Sequence, residues 1–309
     1  MVERPSMTCP QCGRRLHEGE TCPCESFDVR DLLARLELAP EQSDRRQYFE
    51  EIRGLGPRAL PALLAALDET VHHPWYYFRN VIAILGELGS LEEDDRERAV
   101  RRLGQYLLLG ERRQLVIAAI HSIARLGGPV AEEVLVAPLH RKPGRAEGAR
   151  KADSEVLSPL ELGTKLVEGL CLVGTHGAVG EVLAIGLGKG AALTRRGDVL
   201  RQTALEQLAN LDLDAFPAAR DELRRQIEDR VLDPSFSLRR MFFGRNARLD
   251  AALVGTLRLT RNPGVTDLYQ KLLEPGLPPA IRESARQILA ERAAVKPKAA
   301  AEPNPTAGG

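Results

Sequence analysis

The chain has 309 residues, of which 43% are hydrophobic, so it is long enough to bury at least one sizeable core and wholly disordered chains are excluded. Lys plus Arg and Asp plus Glu both number 43, so the formal charge is zero and the overall positive field of a general nucleic-acid binder is absent. Aromatic residues make up only 4%, while Leu, Ala, Arg and Glu are abundant. This composition predicts an all-α fold.

The start of the chain has no positively charged stretch followed by an apolar one. No run approaches the roughly 18 apolar residues that a membrane-spanning helix needs. We therefore expect a soluble cytoplasmic protein without a membrane segment.

Four of the five cysteines lie in one short segment: Cys9, Cys12, Cys22 and Cys24. In Cys9-Pro-Gln-Cys12-Gly, the Pro and Gly favour a turn whose amides point at the sulfurs, and a second cysteine pair completes a tetrahedral site for zinc. A metal would also stabilise a segment too small to form a core. The alternatives are disulfides, which a reducing cytoplasm disfavours, and an iron–sulfur cluster. We expect structural zinc.

Residues 7 to 25 resemble the short zinc ribbons at the front of many bacterial proteins. Cys22 and Cys24 depart from that pattern, because one residue separates them where the family has two. His17 lies between the pairs and is an alternative ligand for one of the four cysteines. Four protein ligands leave no open coordination position, so catalysis at the metal is not expected. We define residues 1–26 as the zinc knuckle.

A phrase that starts with glycine and continues into an apolar helical pattern recurs along the rest of the chain. The first two copies, and likewise the last two, are separated by about twice the length of a two-helix repeat. Each of these two gaps is therefore expected to contain a further, less regular repeat unit. The phrases begin at Gly56, Gly128, Gly177 and Gly264.

Each phrase predicts an amphipathic helix that is paired with a second one. The first helix of the Gly56 unit has apolar residues at i, i+3, i+4 and i+7. Glycines 89, 127 and 174 are predicted to end three of the second helices as C-caps. The apolar stripe of this first helix is Leu60, Leu63, Leu64 and Leu67. The stripes of the five second helices, in chain order, are Val81, Ile82, Leu85 and Leu88; Val116, Ile120 and Ile123; Leu162, Leu166 and Leu170; Leu200, Ala204 and Leu208; and Ile281, Ala285 and Ile288.

Residues 27–294 resemble bacterial HEAT-repeat proteins, including the HEAT-like repeats of phycobilisome lyases. The best match is residues 56–89, where Pro61 stands at the position of the family's kinking proline and Arg79 at the usual arginine of the second helix. The resemblance implies an α-solenoid of stacked antiparallel helix pairs that binds other macromolecules, and it implies no chemistry.

Two segments interrupt the helical pattern. Residues 140–156 are rich in basic residues and have no periodicity, which predicts a mobile basic loop. Residues 295–309 are poor in apolar side chains and are predicted to be a disordered tail.

A run of four aromatic residues, from Trp75 to Phe78, opens the second helix of the best-matching unit. Four consecutive helical positions turn through about 300°, so the rings cannot all face the core. Exposed Trp or Tyr beside Arg is the composition of a binding hot spot. We therefore nominate Trp75, Tyr76, Tyr77 and Arg79 as partner-binding residues; the alternative is that two rings pack inward and the others cover the neighbouring turn.

A second mixed segment contains four arginines and three phenylalanines and is a candidate for binding phosphates and stacking bases. Its alternative is that the rings fill a corner between helices while the arginines are solvated, and we adopt that interpretation. The residues are Phe236, Arg239, Arg240, Phe242, Phe243, Arg245 and Arg248, supported by the loop residues Arg141, Lys142, Arg145, Arg150 and Lys151.

No enzyme motif is complete. Gly186-Leu-Gly-Lys189 is similar to a phosphate loop, but Leu183 stands where the first glycine is required and Gly190 replaces Ser or Thr. HEAT-like hydroxylases hold iron with His-Glu dipeptides, and the only one here, at His17, lies outside the predicted solenoid. Cys171 lies in an apolar stretch and is predicted to be a buried structural thiol.

The sequence thus predicts a non-enzymatic scaffold or adaptor that binds a protein partner on a HEAT-like solenoid preceded by a zinc knuckle. The alternative is a nucleic-acid binder similar to HEAT-like DNA glycosylases, using local basic patches.

Overall fold

The computed structural model describes residues 7–8, 15–16, 29–39, 41–68, 73–108, 112–141, 155–189, 198–232 and 247–294. The chain forms two compact units, Met1–Thr175 and His176–Gly309. The four knuckle cysteines, residues 142–154 of the predicted basic loop 140–156 and the tail 295–309 lie outside the described residues, so the predictions about them remain predictions. At the ends of that loop, His140 is the last residue of a helix and Val156 forms an isolated antiparallel bridge with Arg112, so the loop is shorter than predicted.

The first unit consists of helices preceded by two paired two-residue strands, β1 (Met7–Thr8) and β2 (Arg15–Leu16). Its helices are α1 (Val29–Leu38), α2 (Gln42–Gly54), α3 (Leu60–Asp68), α4 (Trp75–Glu87), α5 (Glu93–Leu108), α6 (Arg113–Leu126), α7 (Gly128–His140) and α8 (Pro159–Val173).

These helices pack as successive pairs, α1 with α2, α3 with α4, α5 with α6 and α7 with α8. First helices also contact first helices, and second helices contact second helices, along the order α2, α4, α6 and α8. The result is a two-layered stack of antiparallel helix pairs, which confirms the predicted all-α, HEAT-like solenoid architecture.

The second unit repeats this arrangement. Its helices are α9 (His176–Gly186), α10 (Asp198–Leu208), α11 (Pro217–Ile227), α12 (Ala247–Gly255), α13 (Pro263–Lys271) and α14 (Pro279–Ala294). Helices α10, α12 and α14 form one layer, and α9 contacts α10 and α11. Tyr269 of α13 is fully buried, and its hydroxyl donates to the Val254 carbonyl oxygen at 2.8 Å, which fastens α13 to α12.

The repeat phrases mark the starts of first helices, as predicted. Gly128 opens α7, and Gly177 and Gly264 lie in the first turns of α9 and α13. The long gap after Gly56 contains the additional pair α5 and α6, and the gap after Gly177 contains α11 and α12. The less regular units expected from the spacings are therefore present.

The start of α3 differs from the family pattern. Gly56–Ala59 form a short 3₁₀ turn, and α3 begins at Leu60, so Pro61 lies in the first turn of the helix. Proline is tolerated there because the amide that it lacks has no intrahelical acceptor. Pro61 therefore helps to start a helix and does not kink one.

The predicted apolar stripes form the core. Members of every stripe are buried, while Leu64 and Leu162 at the edges are half-buried. Two of the three predicted glycine caps are also correct: α6 ends at Gly127 with φ +66° and α8 at Gly174 with φ +65°. The cap at Gly89 is wrong. Helix α4 ends through an extended Leu88, and Ser90 takes the left-handed conformation at φ +55°.

Second helices of the first unit are joined by close contacts. The Ser122 hydroxyl of α6 donates to the Ile82 carbonyl oxygen of α4 at 2.8 Å. Gly86 lies where α4 meets α6, and a Cβ atom there would lie 2.5 Å from the Ser122 Cβ atom. At the end of α4, Glu87 accepts from Arg53 of α2 at 3.4 Å and from Arg125 of α6 at 2.5 Å. These contacts hold the second half of α4 between α2 and α6.

Candidate protein-binding site

The aromatic run at the start of α4 divides between the core and the surface. Tyr77 is buried, with 4% of its surface exposed, whereas Trp75, Tyr76 and Phe78 are half-buried. This division confirms that the rings do not all face the core. It also corrects the nomination of Tyr77, because a buried ring supports the helix and is not available at the surface.

The buried ring of Tyr77 is held in place by His73, which lies two residues before the start of α4. Its imidazole stacks on the Tyr77 ring with centroids 4.1 Å apart, and its Nδ1 atom lies 2.9 Å from the Glu37 carboxylate at the end of α1. The Tyr77 ring also meets Phe78 edge to face at 5.5 Å. These contacts fix the orientation of α4 relative to α1.

The two outer rings each lie against an arginine. The Arg79 guanidinium lies 5.5 Å from the centroid of the Trp75 ring, and the Arg45 guanidinium lies 5.9 Å from that of Tyr76. Both arginines are exposed, so these are cation–π contacts at the surface. Arg79 also donates to Asn80 at 3.2 Å.

Leu38 is an exposed apolar residue close in the chain to these contacts. It is 80% exposed at the end of α1, and its two neighbours in the chain are tied to adjacent elements. Glu37 contacts His73, and the Ala39 carbonyl oxygen accepts from Arg45 Nε at 2.8 Å. We use the name Trp75 patch for five exposed or half-buried residues: Leu38, Arg45, Trp75, Tyr76 and Arg79.

Sequence reasoning found three members of the Trp75 patch and missed Leu38 and Arg45. Helical periodicity places residues on the faces of a single helix, but these two come from α1 and α2. The exposure of Leu38 could have been predicted, because this leucine lies outside the apolar stripe of α1. That stripe consists of Val29, Leu32, Leu33 and Leu36.

The predicted zinc knuckle can be tested only at its edges. Strand β1 pairs with β2 in antiparallel register, Met7 opposite Leu16 and Thr8 opposite Arg15. Cys9 and Cys12 fall between these strands in the sequence, so the pairing brings together the two ends of the segment that contains them. In the described part of the chain, no group of three or more His, Cys, Asp or Glu side chains could hold a metal ion.

Cys171 is buried in α8, as predicted, and burial raises the pKa of its thiol to about 12. At pH 8 the thiol therefore stays protonated, and the reactive thiolate is not formed.

We expect iodoacetamide to leave Cys171 unmodified in the native, metal-free protein at pH 8 and to modify it after denaturation, because only unfolding exposes the thiol. Intact mass measurement distinguishes the two states by one additional adduct. Rapid modification of Cys171 in the native protein, located by peptide mapping, would contradict its assignment as a buried structural thiol.

Gly186-Leu-Gly-Lys189 has no free phosphate cradle. The segment ends α9, and its amides are used by the helix: Leu187 N donates to Leu183 O at 2.9 Å, and Lys189 N donates to Ala184 O at 2.7 Å. A helix C-terminus also presents carbonyl oxygens, which repel an anion. The arginine and phenylalanine segment from Phe236 to Arg245 lies outside the described residues.

None of the helices in the described ranges combines the length and apolar character required to cross a membrane.

These features define an all-α protein of HEAT-like architecture with an aromatic and basic surface patch. No protein-family profile matches the chain, and no curated protein matches its sequence. The chain is similar to a structure of the complex of CpcE and CpcF of phycocyanin lyase from Nostoc sp. PCC7120, with 18% identity over 89% of this chain and 91% of that chain and a TM-score of 0.39.

Two further solved structures are similar at the same low level. Human deoxyhypusine hydroxylase in complex with glycerol has 16% identity over 85% of this chain and 94% of that chain, with a TM-score of 0.31. An engineered protein has 13% identity over 86% of this chain and 68% of that chain, with a TM-score of 0.35. Likenesses of this size support no inference about activity, ligands or partners.

Proposed function

We propose that this protein is a non-enzymatic scaffold or adaptor that binds a protein partner on the Trp75 patch and carries a structural zinc ion on Cys9, Cys12, Cys22 and Cys24. The observation that supports binding is the placement of two half-buried rings, each against an exposed arginine. The 80% exposed Leu38 lies at the end of α1, next to Glu37, which contacts His73 in front of α4. Trp, Tyr and Arg are the residues most enriched in the hot spots of protein interfaces.

The chemistry of the patch indicates what the partner supplies. Leu38 and the ring edges offer apolar surface to a buried side chain, while the guanidinium groups of Arg45 and Arg79 remain donors for carbonyl or carboxylate oxygens. The cation–π contacts keep both guanidinium groups beside the rings, which reduces the entropic cost of ordering them when a partner binds. The proposed occupant is therefore a protein segment with an apolar anchor flanked by hydrogen-bond acceptors.

The buried neighbour Tyr77 provides a control for this proposal. We expect Trp75→Ala or Tyr76→Ala to weaken binding by about 2 kcal/mol, roughly thirtyfold, and to leave the thermal midpoint almost unchanged, because each removes a half-exposed ring. Tyr77→Ala should cost about 3 to 5 kcal/mol of folding stability, because it empties a core position. Binding to the partner found by affinity purification and the thermal midpoint are measured for all three.

If all three variants lower the midpoint by many degrees, the run belongs to the core and the Trp75 patch is not a binding surface. Unchanged capture of the partner by Trp75→Ala and Tyr76→Ala would also refute the proposal. Submicromolar binding to DNA or RNA that weakens steeply with salt would replace it with the nucleic-acid alternative.

A further inference from the structure

The Trp75 patch carries hydrogen-bond donors for which the described part of the chain supplies no acceptor. The indole N–H of Trp75 and the hydroxyl of Tyr76 make no hydrogen bond to a described residue. Arg45 and Arg79 each donate to one neighbouring oxygen atom, so each guanidinium keeps further N–H groups. A ligand that fits this patch therefore supplies acceptors and few donors.

The two outer rings present apolar surface in more than one direction. The rings of Trp75 and Tyr76 meet edge to face, with centroids 6.2 Å apart and an angle of 79° between their planes. Both side chains are half-buried, so part of each ring remains open to contact. A ligand that touches both rings must itself be apolar on more than one side.

The charge of the patch is positive and is not balanced locally. Neither Arg45 nor Arg79 forms an ion pair with a described residue. Two acids in the first turns of the same region, Glu41 and Asp44, accept from Ser43 and are not paired with Arg45. Charge complementarity therefore favours a ligand with acidic residues.

A proline-rich segment meets these three requirements together. Proline has no amide N–H, so it brings carbonyl oxygens to the patch without a donor that would be left unpaired. In the polyproline II conformation there are no internal hydrogen bonds, and three residues per turn place pyrrolidine rings on all sides. An α-helical ligand would be less suitable, because its carbonyl oxygens are used within the helix.

We propose that the partner segment bound by the Trp75 patch is an acidic, proline-rich segment in the polyproline II conformation. Its prolines pack on the rings of Trp75 and Tyr76, and its carbonyl oxygens accept from the indole N–H and the hydroxyl. Its acidic residues pair with Arg45 and Arg79. This inference rests on the proposed function of the patch and names the kind of partner.

The single tryptophan of the chain makes a direct test possible, because tryptophan fluorescence reports only on Trp75. The probe is a peptide of eight prolines flanked on each side by two glutamates, titrated into the full chain. We expect a saturable fluorescence change with a Kd below about 1 mM. Replacing the prolines by glycine and serine, or the glutamates by lysine, should weaken binding at least tenfold.

Variants are compared by isothermal titration calorimetry with the same probe. Trp75→Ala and Arg79→Gln should each weaken binding at least tenfold, and Arg79 is exposed, so its variant should fold normally. Arg98→Gln is the matched control, because Arg98 is an exposed arginine of the same unit and pairs with Asp95 at 3.3 Å. It should bind the probe like the wild type.

Three results would overturn the inference. The first is no binding of the probe at about 1 mM. The second is equal binding of the glycine and serine peptide, which would mean that the patch recognises charge alone. The third is equal or tighter binding of a peptide with the sequence of residues 295–309, which contains three prolines and would make the chain's own tail the occupant.

Failure of this inference is distinguishable from failure of the proposed function. If the probe does not bind but capture of the partner still requires Trp75 and Tyr76, only the polyproline II inference is wrong. If capture is also independent of both rings, the Trp75 patch is not the binding surface.

Discussion

Gly86→Ala is expected to destabilise the first unit by about 3 kcal/mol. The added Cβ atom would lie 2.5 Å from the Cβ and Oγ atoms of Ser122 and 2.6 Å from its Cα atom. Backbone cannot rotate away as a flexible side chain would, so α4 and α6 must move apart, and the hydrogen bond from Ser122 to Ile82 is weakened. This loss exceeds the roughly 1 kcal/mol that alanine gains over glycine inside a helix.

Gly89→Ala is the control for this experiment. Gly89 is exposed, has no atom within 4 Å of an added Cβ atom and does not adopt a positive φ. In urea unfolding monitored by circular dichroism, the midpoint of Gly86→Ala should be lower than that of the wild type. The midpoint of Gly89→Ala should be close to that of the wild type. Equal stability of the Gly86 variant and the wild type would mean that α4 and α6 do not meet at this glycine.

Changing Cys9 and Cys12 together to serine is expected to abolish zinc binding. The purified protein should contain about one zinc ion per chain, and the variant should contain none, because a serine hydroxyl does not replace a thiolate ligand. The helical signal in circular dichroism should persist, because the helices α1 to α8 bury an apolar core of their own.

Cys171→Ala controls for the loss of a thiol and should retain the zinc, because Cys171 is buried in α8 and is distant in sequence from the knuckle. Metal content is measured by inductively coupled plasma mass spectrometry and thiols by titration. Wild-type protein that is metal-free when purified under reducing conditions, with all of its thiols titratable except Cys171, would contradict the zinc assignment.

The helical architecture follows from sequence because it depends on local periodicity. The stripe Val81, Ile82 and Leu85 fixes the buried face of α4, and glycine phrases fix where first helices start. The end of α4 was misplaced because Leu88 leaves the helix in an extended conformation, which makes a left-handed glycine unnecessary at position 89. A leucine that ends a helix cannot be distinguished in the sequence from a leucine inside one.

The candidate site was only partly predictable for a related reason. Which of the four consecutive rings faces outward depends on the rotation of α4 about its own axis relative to α1. The contact between His73, in front of α4, and Glu37 of α1 helps to set that rotation, and it joins residues that are far apart in the sequence. Arg45 stacks on Tyr76 only because α2 brings it there.

Site-specific photo-crosslinking tests the central claim most directly. A photoreactive phenylalanine analogue is placed at Tyr76 in one variant and, as control, at Leu172, which is 65% exposed on α8 of the same unit. The account predicts that position 76 crosslinks to the co-purifying protein partner and that position 172 does not. A partner that crosslinks only from position 172, or equally from both positions, would contradict binding at the Trp75 patch.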